Sequence, residues 1–147
     1  MPDIDDVRKF LADESGLAVV STVQSKGPVL SSVVNCGVLA HPVTGATGVA
    51  LVSRGTAARV THVRRGSPVT IAIRRGWRWV SVSGAGETIG PDDLPEEMDA
   101  EGLRLLLRDV FRAAGGEHDD YDEYDRAMAD ERRVAILVSA DRILGSV

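Results

Sequence analysis

The chain is poor in the groups that usually announce an enzyme. One cysteine, Cys36, among 147 residues excludes an intrachain disulfide and cannot build a thiolate metal site alone. Its expected role is a small buried filler, and such sparing use fits a reducing cytoplasm, the expected compartment. The three histidines, His41, His62 and His118, form no spaced metal motif. Serines are plentiful, but none sits in a Gly-x-Ser-x-Gly elbow, which disfavours a hydrolase, and the lack of a Gly-x-Gly-x-x-Gly turn removes the usual dinucleotide fold. The acidic run from Glu117 to Asp125 lacks the glycine and alternating ligands of a calcium loop. No apolar run approaches the roughly 20 residues of a membrane helix, and the first residues, Met1-Pro2-Asp3-Ile4-Asp5-Asp6, are acidic where a secretory leader is basic. With a net charge of −5, broad affinity for nucleic acid or an anionic membrane is not expected.

What is present suits one compact domain, residues 1–147, because 44% hydrophobic content supplies a single core at this length. Ile4, Val7, Phe10 and Leu11 recur at helical spacing behind Asp3, a good cap, so a short helix opens the chain. Residues 17–23 and 29–39 read as extended runs around the turn Ser25-Lys26-Gly27-Pro28. A strand over 49–53 leads into a short basic helix over 56–65 with Thr56 as its cap. Strands over 69–74 and 77–89 follow, joined by a tight turn at Arg75-Gly76. Residues 98–114 and 119–130 read as helices, and 134–138 with 142–144 as one or two closing strands. About six strands joined mainly by hairpins, with helices between and outside them, describe an antiparallel barrel or roll rather than a doubly wound sheet.

The junction from Ser53 to Arg65 concentrates positive charge in an acidic protein. Free backbone N–H groups at a helix start, with Arg59, Arg64 and Arg65 close by, suit a phosphate, although an ordinary solvated helix start accounts for the same residues. Ser31, Ser32, Asn35 and Ser53 are small polar residues within apolar strands, placed either to meet a flat ligand or to face solvent. Trp77 and Trp79 share a face on a regular strand and fit a core, a subunit interface or a ligand wall. Tyr121 and Tyr124 are expected to turn inward from an acidic helix. A phosphate site without a nucleophile or metal constellation implies that a cofactor carries the chemistry.

The order of these residues is also that of a known group. Arg59-Val60-Thr61-His62-Val63-Arg64-Arg65 with Pro68, then Gly76-Trp77-Arg78-Trp79-Val80 with Gly84, then Gly115-Gly116-Glu117-His118-Asp119-Asp120-Tyr121-Asp122-Glu123-Tyr124, and finally Glu131-Arg132-Arg133-Val134 run nearly the length of the chain. Together they resemble the flavin/deazaflavin, coenzyme F420-dependent oxidoreductases of actinobacteria, within the pyridoxamine 5'-phosphate oxidase-like split β-barrel group. The resemblance implies a mainly β, α+β fold: a split β-barrel of about six antiparallel strands with short peripheral helices. It implies a homodimer with cofactor at the subunit interface, F420 as that cofactor with FMN as the alternative, and hydride transfer to an unsaturated small molecule. A non-catalytic carrier of F420, flavin or tetrapyrrole is the further alternative. By the same resemblance, Ser32, Val33, Val34 and Asn35 run along the ring, Leu51, Val52 and Ser53 border the phosphate, and Trp77 stands near the ring. Arg54, Thr56, Ala58 and Arg59 belong to the phosphate end. Arg59 occupies a place where relatives usually have lysine; Ala57 stands where they often offer a second basic or polar group, a loss for which Arg54 can compensate. His118, Tyr121 and Tyr124 match a signature whose role the resemblance does not define.

Overall fold

The computed structural model describes residues 1–147. Its elements in chain order are α1 (Ile4–Asp13), β1 (Leu17–Val23), β2 (Val29–Ala40), β3 (Thr47–Ser53), α2 (Ala58–Arg64), β4 (Pro68–Arg75), β5 (Arg78–Ile89), α3 (Ala100–Ala113), α4 (Tyr121–Asp130), β6 (Val134–Ser139) and β7 (Arg142–Ser146). All strand pairings are antiparallel. The order β4-β1-β2-β3-β6-β5 closes on itself through β4–β5, and β7 adds to the outer edge of β5. The last run of the chain therefore makes two strands, for seven in all.

Strand length explains why this barrel is split. β2 and β5 have 12 residues each, more than any neighbour can pair along. Val29–Asn35 of β2 pair with β1, whereas Cys36–Ala40 pair with β3. β5 does the same, pairing with β4 over Arg78–Ala85 and with β6 over Gly86–Ile89. Each long strand thus leaves one half-sheet and enters the other. Where β2 changes partners, its β3-side edge over residues 29–35 has no ladder partner.

Alternation along the strands sets what is inside. On β1, Ala18, Val20 and Thr22 are buried while Leu17, Val19 and Val23 face out. The interior is filled by β-branched and branched side chains such as Leu51, Ile71, Ile73, Val82 and Ile136, each essentially without exposure. Burying one such side chain stabilises the fold by about 1.5–3 kcal/mol. α1 closes one end with Val7, Phe10 and Leu11; its start is fixed by a reciprocal cap in which Asp3 accepts from the Asp6 amide and the Asp6 carboxylate accepts from the Asp3 amide.

A second apolar layer lies outside the barrel. Leu103, Leu106, Leu107 and Val110 of α3 cover Ala50, Ile89, Ala135 and Leu137 on the outer face of the β3–β6–β5 half-sheet. The contact is close at Gly37, where a Cβ would lie 2.3 Å from the Ala113 carbonyl carbon, so only glycine admits the helix there.

Most boundaries shift by one or two residues, and two of the shifts bear on the site. The basic helix begins at Ala58 and not Thr56; its cap is Ala57, which offers no side-chain bond, because the Ala57 amide already closes a turn onto the Arg54 carbonyl. Arg75 pairs with Arg78, so Gly76 and Trp77 form a two-residue turn with Gly76 in the left-handed region, φ +61°. Trp77 is therefore not on the strand and does not share a face with Trp79. No helix is long and apolar enough to cross a membrane.

Candidate functional site

α2 is short, and its apolar side sets the direction of its charge. Val60 and Val63 are buried against the barrel, and His62 packs inward with Nδ1 2.8 Å from the Thr22 hydroxyl. That fixes the helix phase and turns the half-buried Arg59 toward the gap between β2 and the end of β3. There Arg59 Nη1 donates to Ser53 Oγ at 3.0 Å and Nη2 donates to Ser32 Oγ at 2.8 Å. The Ser53 hydroxyl in turn donates to the Arg54 carbonyl at 3.3 Å.

The Arg59 side chain is held in place without a counter-charge. No carboxylate lies within the 4.0 Å that defines an ion pair around Arg59, so both of its partners are neutral hydroxyls. Hydroxyl oxygens hold a guanidinium in place without cancelling its charge, leaving a field that favours an anion. Arg54, exposed and unpaired, adds charge on the same loop. Behind the cluster, burial pushes the Cys36 thiol up to about 12 although the nearby Arg59 pulls the other way, so Cys36 is an inert filler rather than a nucleophile.

Three residues expected at a cofactor, Ser32, Ser53 and Arg59, thus converge. Thr56 and Ala58 are exposed just beside them. The others are placed differently. Leu51 has its side chain wholly inside the barrel and Val52 packs toward the α3 layer, so neither side chain is open to a ligand and only their backbone borders the cleft. Val34 is half-buried against the core. Val33 points to the opposite, outer face of the sheet, 65% exposed, and Asn35 donates from Nδ2 to the Ser15 carbonyl at 2.9 Å, tying β2 to the end of α1. Trp77 is 98% exposed at its hairpin tip.

The tyrosine segment is structural. His118 Nδ1 accepts the Asp120 amide at 3.0 Å, and its ring stands 6.1 and 6.0 Å from those of Tyr121 and Tyr124. The Tyr124 hydroxyl donates to the Leu107 carbonyl at 3.0 Å, and burial pushes its pKa up to about 12. Tyr121 is only half-buried; the Arg108 and Arg112 guanidinium groups lie 5.0 and 4.5 Å from its ring centroid. The segment holds α4 against α3.

Sequence reasoning missed the outer face of the β2–β1–β4–β5–β7 half-sheet. Register aligns Val33, Val19, Ala72, Ser81 and Leu144 in one row across five strands, with Val33, Val19 and Leu144 exposed. The available signal was that β1 carries apolar residues on both of its faces.

These features define a split β-barrel with a guanidinium fork held by two hydroxyls near the point where one long strand changes partners. No family model matches the chain. Among solved structures it is similar to a conserved hypothetical protein from Mycobacterium tuberculosis, at 17% identity over 99% of this chain and 84% of that one, TM-score 0.69. It is also similar to a pyridoxamine 5'-phosphate oxidase-related, FMN-binding protein from Nostoc punctiforme, at 12% identity over 97% and 80% of the two chains, TM-score 0.66. An FAD- and heme-binding protein from Mycobacterium smegmatis aligns at 13% identity over 100% and 72%, TM-score 0.63. At these identities what is shared is the fold.

Proposed function

We propose that this chain is a cofactor-dependent oxidoreductase that works as a homodimer, with F420 as its cofactor and an unsaturated small molecule as its substrate. The observation that carries this reading is the Arg59 fork, half-buried and held by Ser32 and Ser53 with its charge uncancelled. Its donor set fits a phosphate, since a planar fork backed by neutral acceptors keeps its remaining N–H groups and its full charge for the anion. When bound, reduced F420 supplies the hydride. The protein's share is position and field: Arg59 and Arg54 hold the phosphate, the two serines fix the direction of the fork, and the unpaired edge of β2 offers backbone donors and acceptors to a planar ring.

In a single chain Arg59 is only half-buried and Thr56 and Ala58 beside it are exposed. The exposed row of Val33, Val19 and Leu144, on the other face of the same sheet, is the apolar surface a second copy would cover. FMN is the second reading, favoured by the FMN-binding neighbour and by a fork that meets any phosphate monoester or diester with the same geometry.

Parallel titration with F420 and FMN, read by quenching of cofactor fluorescence, tests the reading. Binding of F420 that falls at least about 100-fold in Arg59→Ala supports it. No binding up to high micromolar concentration sinks it, and unchanged affinity in the variant refutes the anchor. Tight binding without turnover of enones or quinones identifies a carrier instead.

A further inference from the structure

A cavity of about 620 Å³ lies at the other end of β3 from Arg59. α3 covers only part of the outer face of the β2–β3–β6–β5 half-sheet, and the cavity is the remainder of that face. Its floor is apolar, formed by Leu39, Ala50 and Leu137, and the small side chain of Ala85 stands beside it. The loop between β2 and β3 lines one side of it through His41, Thr44 and Ala46.

That loop is pinned by one side chain. His41 Nδ1 accepts the amides of Val43 and Thr44 at 3.1 and 3.2 Å, which requires this nitrogen to be unprotonated. The ring proton is then on Nε2, which donates to Glu87 Oε2 at 2.6 Å. The arrangement fixes the loop beside the cavity and one oxygen of the half-exposed Glu87, while its other oxygen has no protein donor. Asp141 stands nearby, its Oδ2 accepting the Ala85 amide at 3.3 Å. Neither carboxylate meets an arginine or lysine, and no lysine or arginine lines the cavity. With His41 neutral, the walls carry two negative charges above an apolar floor.

We propose that this cavity is a second ligand site, for a small organic cation with an apolar body, such as an arylalkylamine or amidine. Its size falls within the about 300–1,000 Å³ of small-molecule pockets. Glu87 and Asp141 supply acceptors for an ammonium or amidinium group, and the floor takes the hydrocarbon. The lining reaches Ala50, three residues or about 10 Å along β3 from Ser53, so the two sites hold ligands of opposite charge at separate places on one strand.

The test uses the full chain and four probes of similar shape: benzylamine, benzamidine, benzyl alcohol and benzoate. Backbone amide shifts by nuclear magnetic resonance are followed at Gly48, Ala85, Gly86 and Ser139. The two cations should shift these amides saturably at low millimolar concentration, the alcohol should bind at least about tenfold more weakly, and benzoate should not bind. Glu87→Gln and Asp141→Asn keep the acceptors for His41 and Ala85 while removing charge; each should weaken the cations about tenfold. Ala85→Phe, at an exposed position, should fill the cavity and abolish binding, with thermal melting confirming that each variant is folded. Arg59→Ala, which removes the anion anchor, should leave the shifts that the two cations cause at this cavity as in the parent chain. Equal binding of amine and alcohol, unchanged affinity in both charge variants, or no shift at about 20 mM probe overturns the proposal.

Discussion

Arg59 on α2 and Arg108 on α3 are both half-buried, and each has two side-chain oxygens fixing its fork, but the oxygens differ in kind. Arg108 donates Nε to Asp125 Oδ1 at 2.9 Å and Nη2 to Asp125 Oδ2, while Arg104 donates to that same Oδ2 at 2.8 Å. Tyr121 packs against the Arg108 guanidinium. Arg59 has only the hydroxyls of Ser32 and Ser53. One fork is spent on joining two helices; the other is aimed and left charged. Positioning an arginine and neutralising it are separate acts, and a protein that needs an anion site performs only the first.

The sharpest way to break this contrast is to exchange the two situations. Ser32→Asp places a carboxylate beside Arg59; cofactor affinity should fall about 100-fold, as much as in Arg59→Ala, while the melting temperature is kept. Arg108→Ala should show the reverse, with affinity within about twofold of the parent and a lower melting temperature. Arg59→Lys comes next. It preserves charge but loses the planar fork, and a fluorescence titration should record a loss of about tenfold. Ser53→Ala removes one of the acceptors that aim the fork, so a smaller loss of about threefold is expected from the same titration.

The smallest effect appears only in acid. The hydrogen bond from Arg108, aided by that from Arg104, holds the Asp125 carboxyl below the usual 3.8. A group whose folded pKa is depressed contributes stability above its unfolded value and loses it as pH falls through the folded value. Urea melts taken from pH 5 downward should therefore show a loss for the parent chain that is flattened in Asp125→Asn. Ser32→Asp should acquire an acid limb of its own, with cofactor affinity recovering as the new carboxylate is protonated.

Much of the fold was legible because alternation and capping are local. Asp3 before Ile4, Val7, Phe10 and Leu11 announces α1, and the alternation of β1 announces its inward face. The convergence of Ser32, Ser53 and Arg59 was legible only through the resemblance, since three residues spread over two strands and a helix carry no local pattern. The cap of α2 was misplaced because tertiary packing of Val60 and Val63 sets the helix phase, and a turn onto Arg54 leaves Thr56 outside. The resemblance puts Leu51 and Val52 beside the phosphate, and the alternation of β3, which sends one side chain into the barrel and the other toward α3, leaves only their backbone for that place. Trp77 reads as a strand residue until the pairing of Arg75 with Arg78 puts it in the turn. The His41–Glu87 contact spans 46 positions and had no sequence signal at all.

The sharing of β2 and β5 between the two half-sheets also governs how the molecule comes apart. Neither half-sheet can lose its order without stripping a partner from a strand that the other half requires. Fraying is thus confined to the ends, and the barrel should melt in one cooperative step, with core amides on both sides exchanging at the same opening free energy.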